Sequence, residues 1–131
     1  MHDGADLALV LMTAPDAAAG ERVGRALVQE RLAACATVIP GVVSVYRWEG
    51  EVRADGEVQV LLKTRRALVE RLFRRAAELH PYDVPELIAA PLSGVSEAYR
   101  EWVLDETGQP EDQQGGGAEL PRATRVDDGS E

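Results

Sequence analysis

Six consecutive apolar residues, Leu7 to Met12, lie between Asp6 and Thr13, and such a short unbroken run predicts a buried central strand. Pro15-Asp16 then reads as a helix start with Asp16 as cap. The helix extends to about Ala34, with Ala19, Val23, Ala26, Leu27 and Arg31 near one face and Glu21, Arg22, Arg25 and Glu30 outward. Cys35 opens a second extended run, Ala36 to Trp48. Pro40-Gly41 interrupts it and demands a bulge, because proline donates no ladder hydrogen bond. Glu49-Gly50 predicts a two-residue hairpin turn. A third strand runs to Thr64, with Asp55-Gly56 marking a second irregularity. In it Val58, Val60 and Leu62 face one way, and Glu57, Gln59, Leu61 and Lys63 the other.

A second helix over about 66–80 carries an inward stripe of Leu68, Leu72, Ala76 and Leu79, and Pro81 ends it. Residues 86–91 (ELIAAP) read as a short fourth strand, and Ser96 caps a last helix bearing Tyr99, Trp102 and Val103. The order β-α-β-β-α-β-α is the split βαβ pattern of ferredoxin-like domains, an α+β class with an antiparallel sheet. Two helices cover one face of four strands. The other face is left bare, which argues for burial against further subunits.

Composition predicts where this domain ends. The chain has 131 residues and a formal charge of −9, from 23 acidic and 14 basic residues. Residues 105–131 hold eight acids against Arg122 and Arg125, five glycines and no apolar period, a composition that reads as a disordered tail. Residues 1–104 form the expected domain and carry a net charge of only −3. Bulk acidity therefore says little about cation binding, but it does argue against a nucleic-acid partner. No run approaches the roughly 20 apolar residues of a membrane span. With the single cysteine Cys35, no internal disulfide is possible, and a cytoplasmic setting is expected.

Few residues carry candidate chemistry. His80, at a helix end with Tyr82 and Glu86 close behind, suits a metal ligand or proton shuttle, or a cap on the last helical carbonyls. Cys35 is a soft ligand or nucleophile, or a small buried hydrophobe. Lys63, the only lysine, suits a carboxylate or phosphate, or an ion pair with Glu49, Glu57 or Glu86. Trp48 and Tyr46 flank the hairpin and suit interface packing or a ligand cage. Gly20 and Gly24 lie within the first helix but form no phosphate-binding motif, and no Ser/His/Asp constellation has recognisable spacing. No catalytic residue is assigned, and an enzyme is not expected.

These residues also carry a resemblance. Thr13-Ala14-Pro15-Asp16, Arg31-Leu32-Ala33-Ala34-Cys35-Ala36, Tyr46-Arg47-Trp48-Glu49-Gly50 and His80-Pro81-Tyr82-Asp83-Val84-Pro85-Glu86-Leu87 resemble the CutA family of divalent-cation tolerance proteins, in its order and at its spacing. The resemblance covers residues 7 to about 104. It implies a ferredoxin-like homotrimer similar in architecture to PII signalling proteins, with long bent strands reaching neighbouring subunits. It also implies a cytoplasmic role in tolerance of copper (Cu2+) and other divalent ions. The family's copper ligands fall here on Met12, in place of a cysteine, and on Leu79-His80, in place of a histidine pair. One imidazole and a thioether remain as metal ligands, and a thioether suits Cu(I). Cys35, Trp48, Glu49, Lys63, Tyr82 and Glu86 are then expected to bind a small ligand at subunit clefts. The alternative is a PII-like module that binds a metabolite there.

Overall fold

The computed structural model describes residues 4–108. β1 (Leu7–Ala14), α1 (Ala17–Gln29), β2 (Cys35–Trp48), β3 (Glu51–Arg65), α2 (Val69–Leu79, entered by a 3-10 turn over Arg66–Leu68), β4 (Ile88–Pro91) and α3 (Glu97–Glu106) follow in that order. The sheet is antiparallel throughout, in the order β2-β3-β1-β4, which is the ferredoxin-like arrangement. Helix α1 starts where the Asp16 carboxylate accepts from the Ala19 N–H at 2.8 Å. It stops at Gln29, short of the expected Ala34. Arg31 adopts a left-handed conformation (φ 64°), with its own N–H bonded to Val28 O and the Leu32 N–H bonded back to Leu27 O. That pair of bonds is a Schellman stop, made here by arginine rather than glycine.

Alternation builds the core. Val10, Met12 and Ala14 of β1 and Val58, Val60 and Leu62 of β3 point to one face, under Ala19, Val23 and Leu27 of α1 and Leu72 and Ala76 of α2. The opposite face is not wholly bare. Helix α3 covers its far end, burying Leu7, Ala34 and Val103 together. Fastening continues past Leu104. The Thr107 hydroxyl donates to Val103 O at 2.8 Å and accepts from Arg65 Nε at 2.9 Å, and the Gly108 N–H reaches Arg31 O at 2.9 Å. The folded domain thus includes 105–108, which composition had assigned to the tail; the rest of that tail lies outside the described residues.

The bulge at Pro40-Gly41 is present. Ile39 pairs with Gln59 and Val42 with Glu57, so β2 gains one residue there, and Gly41 takes φ 79°. The irregularity expected at Asp55-Gly56 is absent: both pair in register, with Ser44 and Val43. The bulge in β2 alone supplies the offset. Because β1 ends opposite Val58, residues 42–48 and 51–57 continue as a two-stranded arm beyond the sheet. Its tip is the Glu49-Gly50 turn, with φ 53° and 81°, the positive pair a two-residue turn of this kind requires. Among the described residues no helix is long and apolar enough to cross a membrane.

Candidate functional site

The extra residue in β2 has a consequence for side chains. Before the bulge the odd positions of β2 share the face opposite the core; after it the even positions do. Ser44, Tyr46 and Trp48 therefore stand beside Arg53 and Glu57 on one face of the arm, and Val43, Val45 and Val52 stand on the other. The first face and the segment 82–86 enclose a cleft of about 550 Å³ at the end of β1.

His80 holds that segment in place. Its backbone N–H closes α2 on Ala76 O at 2.9 Å. Its ring reaches β1, with Nε2 2.7 Å from Thr13 O, and Nδ1 accepts from the Tyr82 N–H at 3.1 Å. A carbonyl only accepts and an amide N–H only donates, so Nε2 carries the proton and Nδ1 its lone pair. The ring caps none of its own helix carbonyls; it ties the end of β1 to the loop. Tyr82 lies 4.8 Å from it, ring centre to ring centre. The Tyr82 hydroxyl donates to Glu57 Oε2 at 2.6 Å, and the Tyr46 hydroxyl donates to Asp55. Burial, then the bonded Glu57 carboxylate, holds the Tyr82 phenol above its ordinary value of 10.0. The hydrogen bond to Asp55 raises Tyr46 likewise. Both phenols thus remain neutral donors.

Of the expected ligand residues, the cleft gathers Trp48, Tyr82 and Glu86. Glu49 occupies the exposed hairpin tip. Cys35 and Lys63 sit directly opposite each other on β2 and β3, away from the arm. Cys35 is half-buried, its Sγ 3.6 Å from the Tyr99 hydroxyl, and lines a second cleft of about 440 Å³ between α1 and Trp102. Lys63 makes no ion pair within 4.0 Å to Glu49, Glu57 or Glu86. Arg53 and Asp83 join the cleft without having been given a role, and Glu57, expected only as a partner for Lys63, joins them. The alternation Glu51, Arg53, Asp55, Glu57 carried the signal, readable once β2 is shifted by one residue at the bulge.

The copper ligands fit poorly. Met12 is fully buried in the core, and both ring nitrogens of His80 are engaged. Among the described residues no group of three or more His, Cys, Asp or Glu is placed to hold a metal ion.

A split-βαβ sheet with a long hairpin arm and a mixed cleft at its base defines a ferredoxin-like α+β protein. The family model of the CutA1 divalent ion tolerance protein matches residues 8–106. A divalent-cation tolerance protein CutA from Thermus thermophilus is 42% identical over 100 residues, covering 76% of this chain and 97% of that one. The chloroplastic protein CutA of Arabidopsis thaliana is 44% identical over 99 residues, 76% of this chain but only 54% of the relative. The chain thus matches about half the length of that plant protein. The crystal structure of CutA from Xylella fastidiosa superposes with a TM-score of 0.77 at 43% identity, over 79% of this chain and 99% of that one. The Thermus thermophilus structure gives 0.76 at 41%, over 78% and 99%. The chain belongs to the CutA1 family of divalent ion tolerance proteins. These matches lend no support to a PII-like metabolite module.

Proposed function

We propose that the chain serves divalent-cation tolerance as a cytoplasmic homotrimer, with no catalytic step of its own. One observation carries the assembly: the arm exposes Val43, Val45 and Val52 at 70%, 68% and 65% on a single face. A two-stranded ribbon is marginal alone in water, and an apolar face needs cover. Ile39 and Ile88, also exposed, with half-buried Leu11 and Leu61 between them, extend apolar surface over the sheet face that α3 leaves open. Neighbouring copies that exchange arms over these surfaces would cover both at once. Copper is the ion this reading assigns as stimulus, and no step of it runs through an ion held by Met12 and His80.

Light scattering should return three times the 14.2 kDa chain mass, and Val45→Asp should lower it to one chain. A monomeric parent protein would overturn the assembly. In a bacterial strain lacking its own CutA, the parent chain should restore the growth response to copper, and Val45→Asp should not. Failure of the parent to restore it would remove the tolerance role.

A further inference from the structure

The cleft between the arm and the 82–86 loop combines features that select a chemical class. Its volume of about 550 Å³ lies in the ordinary range for small-ligand sites. Three electron-rich rings, Tyr46, Trp48 and Tyr82, meet three carboxylates, Glu57, Asp83 and Glu86, against one guanidinium, Arg53. From these we infer that the cleft is a binding site for a small organic cation with an apolar body, an aryl- or alkylammonium.

The charge balance favours a cation. Glu57 is held in place by the Tyr82 hydroxyl, and Asp55, just behind Tyr46, adds a further negative charge. The raised phenols leave the rings neutral with their electron-rich faces intact. An ammonium over such faces gains cation–π attraction, strongest for tryptophan. Trp48 is 45% exposed and Tyr46 is 39% exposed, so both rings present free surface to an incoming ligand. Arg53 is the one group that would draw an anion instead, and it is outnumbered. The apolar face assigned above to a neighbouring subunit is the reverse of the arm. Every residue that lines the site comes from one chain.

Three probes of one shape separate the possibilities: 2-phenylethylammonium, 2-phenylethanol and 3-phenylpropionate, each titrated into the full chain by calorimetry. The ammonium should bind saturably and at least about tenfold tighter than either of the others. Trp48→Ala and Glu86→Gln should each weaken it about fivefold or more, Trp48→Phe should retain most of the affinity, and added salt should weaken it. Far-UV circular dichroism checks that the variants fold. Equal or tighter binding of 3-phenylpropionate would assign the cleft to anions through Arg53 and overturn the proposal. Absence of saturable binding by all three probes, or ammonium affinity unchanged in both variants, would overturn it as well.

Discussion

A methyl group placed on Gly24 would stand 2.8 Å from Ala36 Cβ, and one on Gly20 would stand 3.1 and 3.2 Å from Val58 and Val60. Alanine normally gains about 1 kcal/mol over glycine inside a helix. At position 24 the neighbour is a short side chain fixed on a strand, with no flexible end to swing aside. Overpacking of that kind costs typically 1–3 kcal/mol, so it outweighs the helical gain. Gly24→Ala should therefore lower the stability by about 1 kcal/mol in thermal unfolding, and a rise in melting temperature would show that α1 can retreat. In the sequence these glycines stood out only against phosphate motifs they fail to match. Their reason is the close approach of α1 to β2 and β3, which no local pattern records. His80 is similar: its position at the end of α2 and its neighbour Tyr82 were legible, but its other partner, Thr13, comes from the distant strand β1.

Elements were legible where their signals are local. The unbroken run of β1, the Asp16 and Ser96 caps, the bulge at Pro40-Gly41 and the Glu49-Gly50 turn all depend on residues within a few positions of one another. The end of α1 was missed because arginine occupies the left-handed position that glycine usually marks. The 80–87 loop owes its place to two side-chain ties, the His80 ring on Thr13 O and the Tyr82 hydroxyl on Glu57. Tyr82, bonded to Glu57, is neutral in the fold well above pH 10, whereas in the unfolded chain it ionises near its ordinary value. Above that value the unfolded state binds fewer protons than the folded state, so stability falls as pH rises. The Tyr82 contribution is thus whole below pH 10 and is lost progressively above it. Denaturant midpoints measured between pH 8 and 11 should decline at the alkaline end, and Tyr82→Phe should flatten part of that decline while lowering the midpoint at pH 8. An unchanged alkaline slope in the variant would mean the bond to Glu57 does not couple to folding.

At the scale of the molecule, composition and contact place the domain's end differently. Composition changes at Leu104, because Asp105, Glu106 and Gly108 look like the acidic, glycine-bearing sequence after them. Contact does not stop there. Thr107 is fully buried, its hydroxyl joins Val103 to Arg65, its carbonyl accepts from Arg65 Nη2 at 3.0 Å, and Gly108 closes on Arg31. Two truncations separate these descriptions. A chain ending at Gly108 keeps every one of these bonds. A chain ending at Leu104 loses the Thr107 and Gly108 bonds and the last turn of α3. It leaves part of the half-buried Arg65 guanidinium without acceptors, at a cost of about 1–3 kcal/mol. The new terminal carboxylate at Leu104 would recover some of that, because Arg65 already donates to the Leu104 carbonyl. The packing of Thr107 has no such replacement. The chain cut at Leu104 should therefore unfold at lower denaturant than the chain cut at Gly108, by about 2 kcal/mol. Equal midpoints would show that residues 105–108 only rest on the domain and that its stability is complete at Leu104.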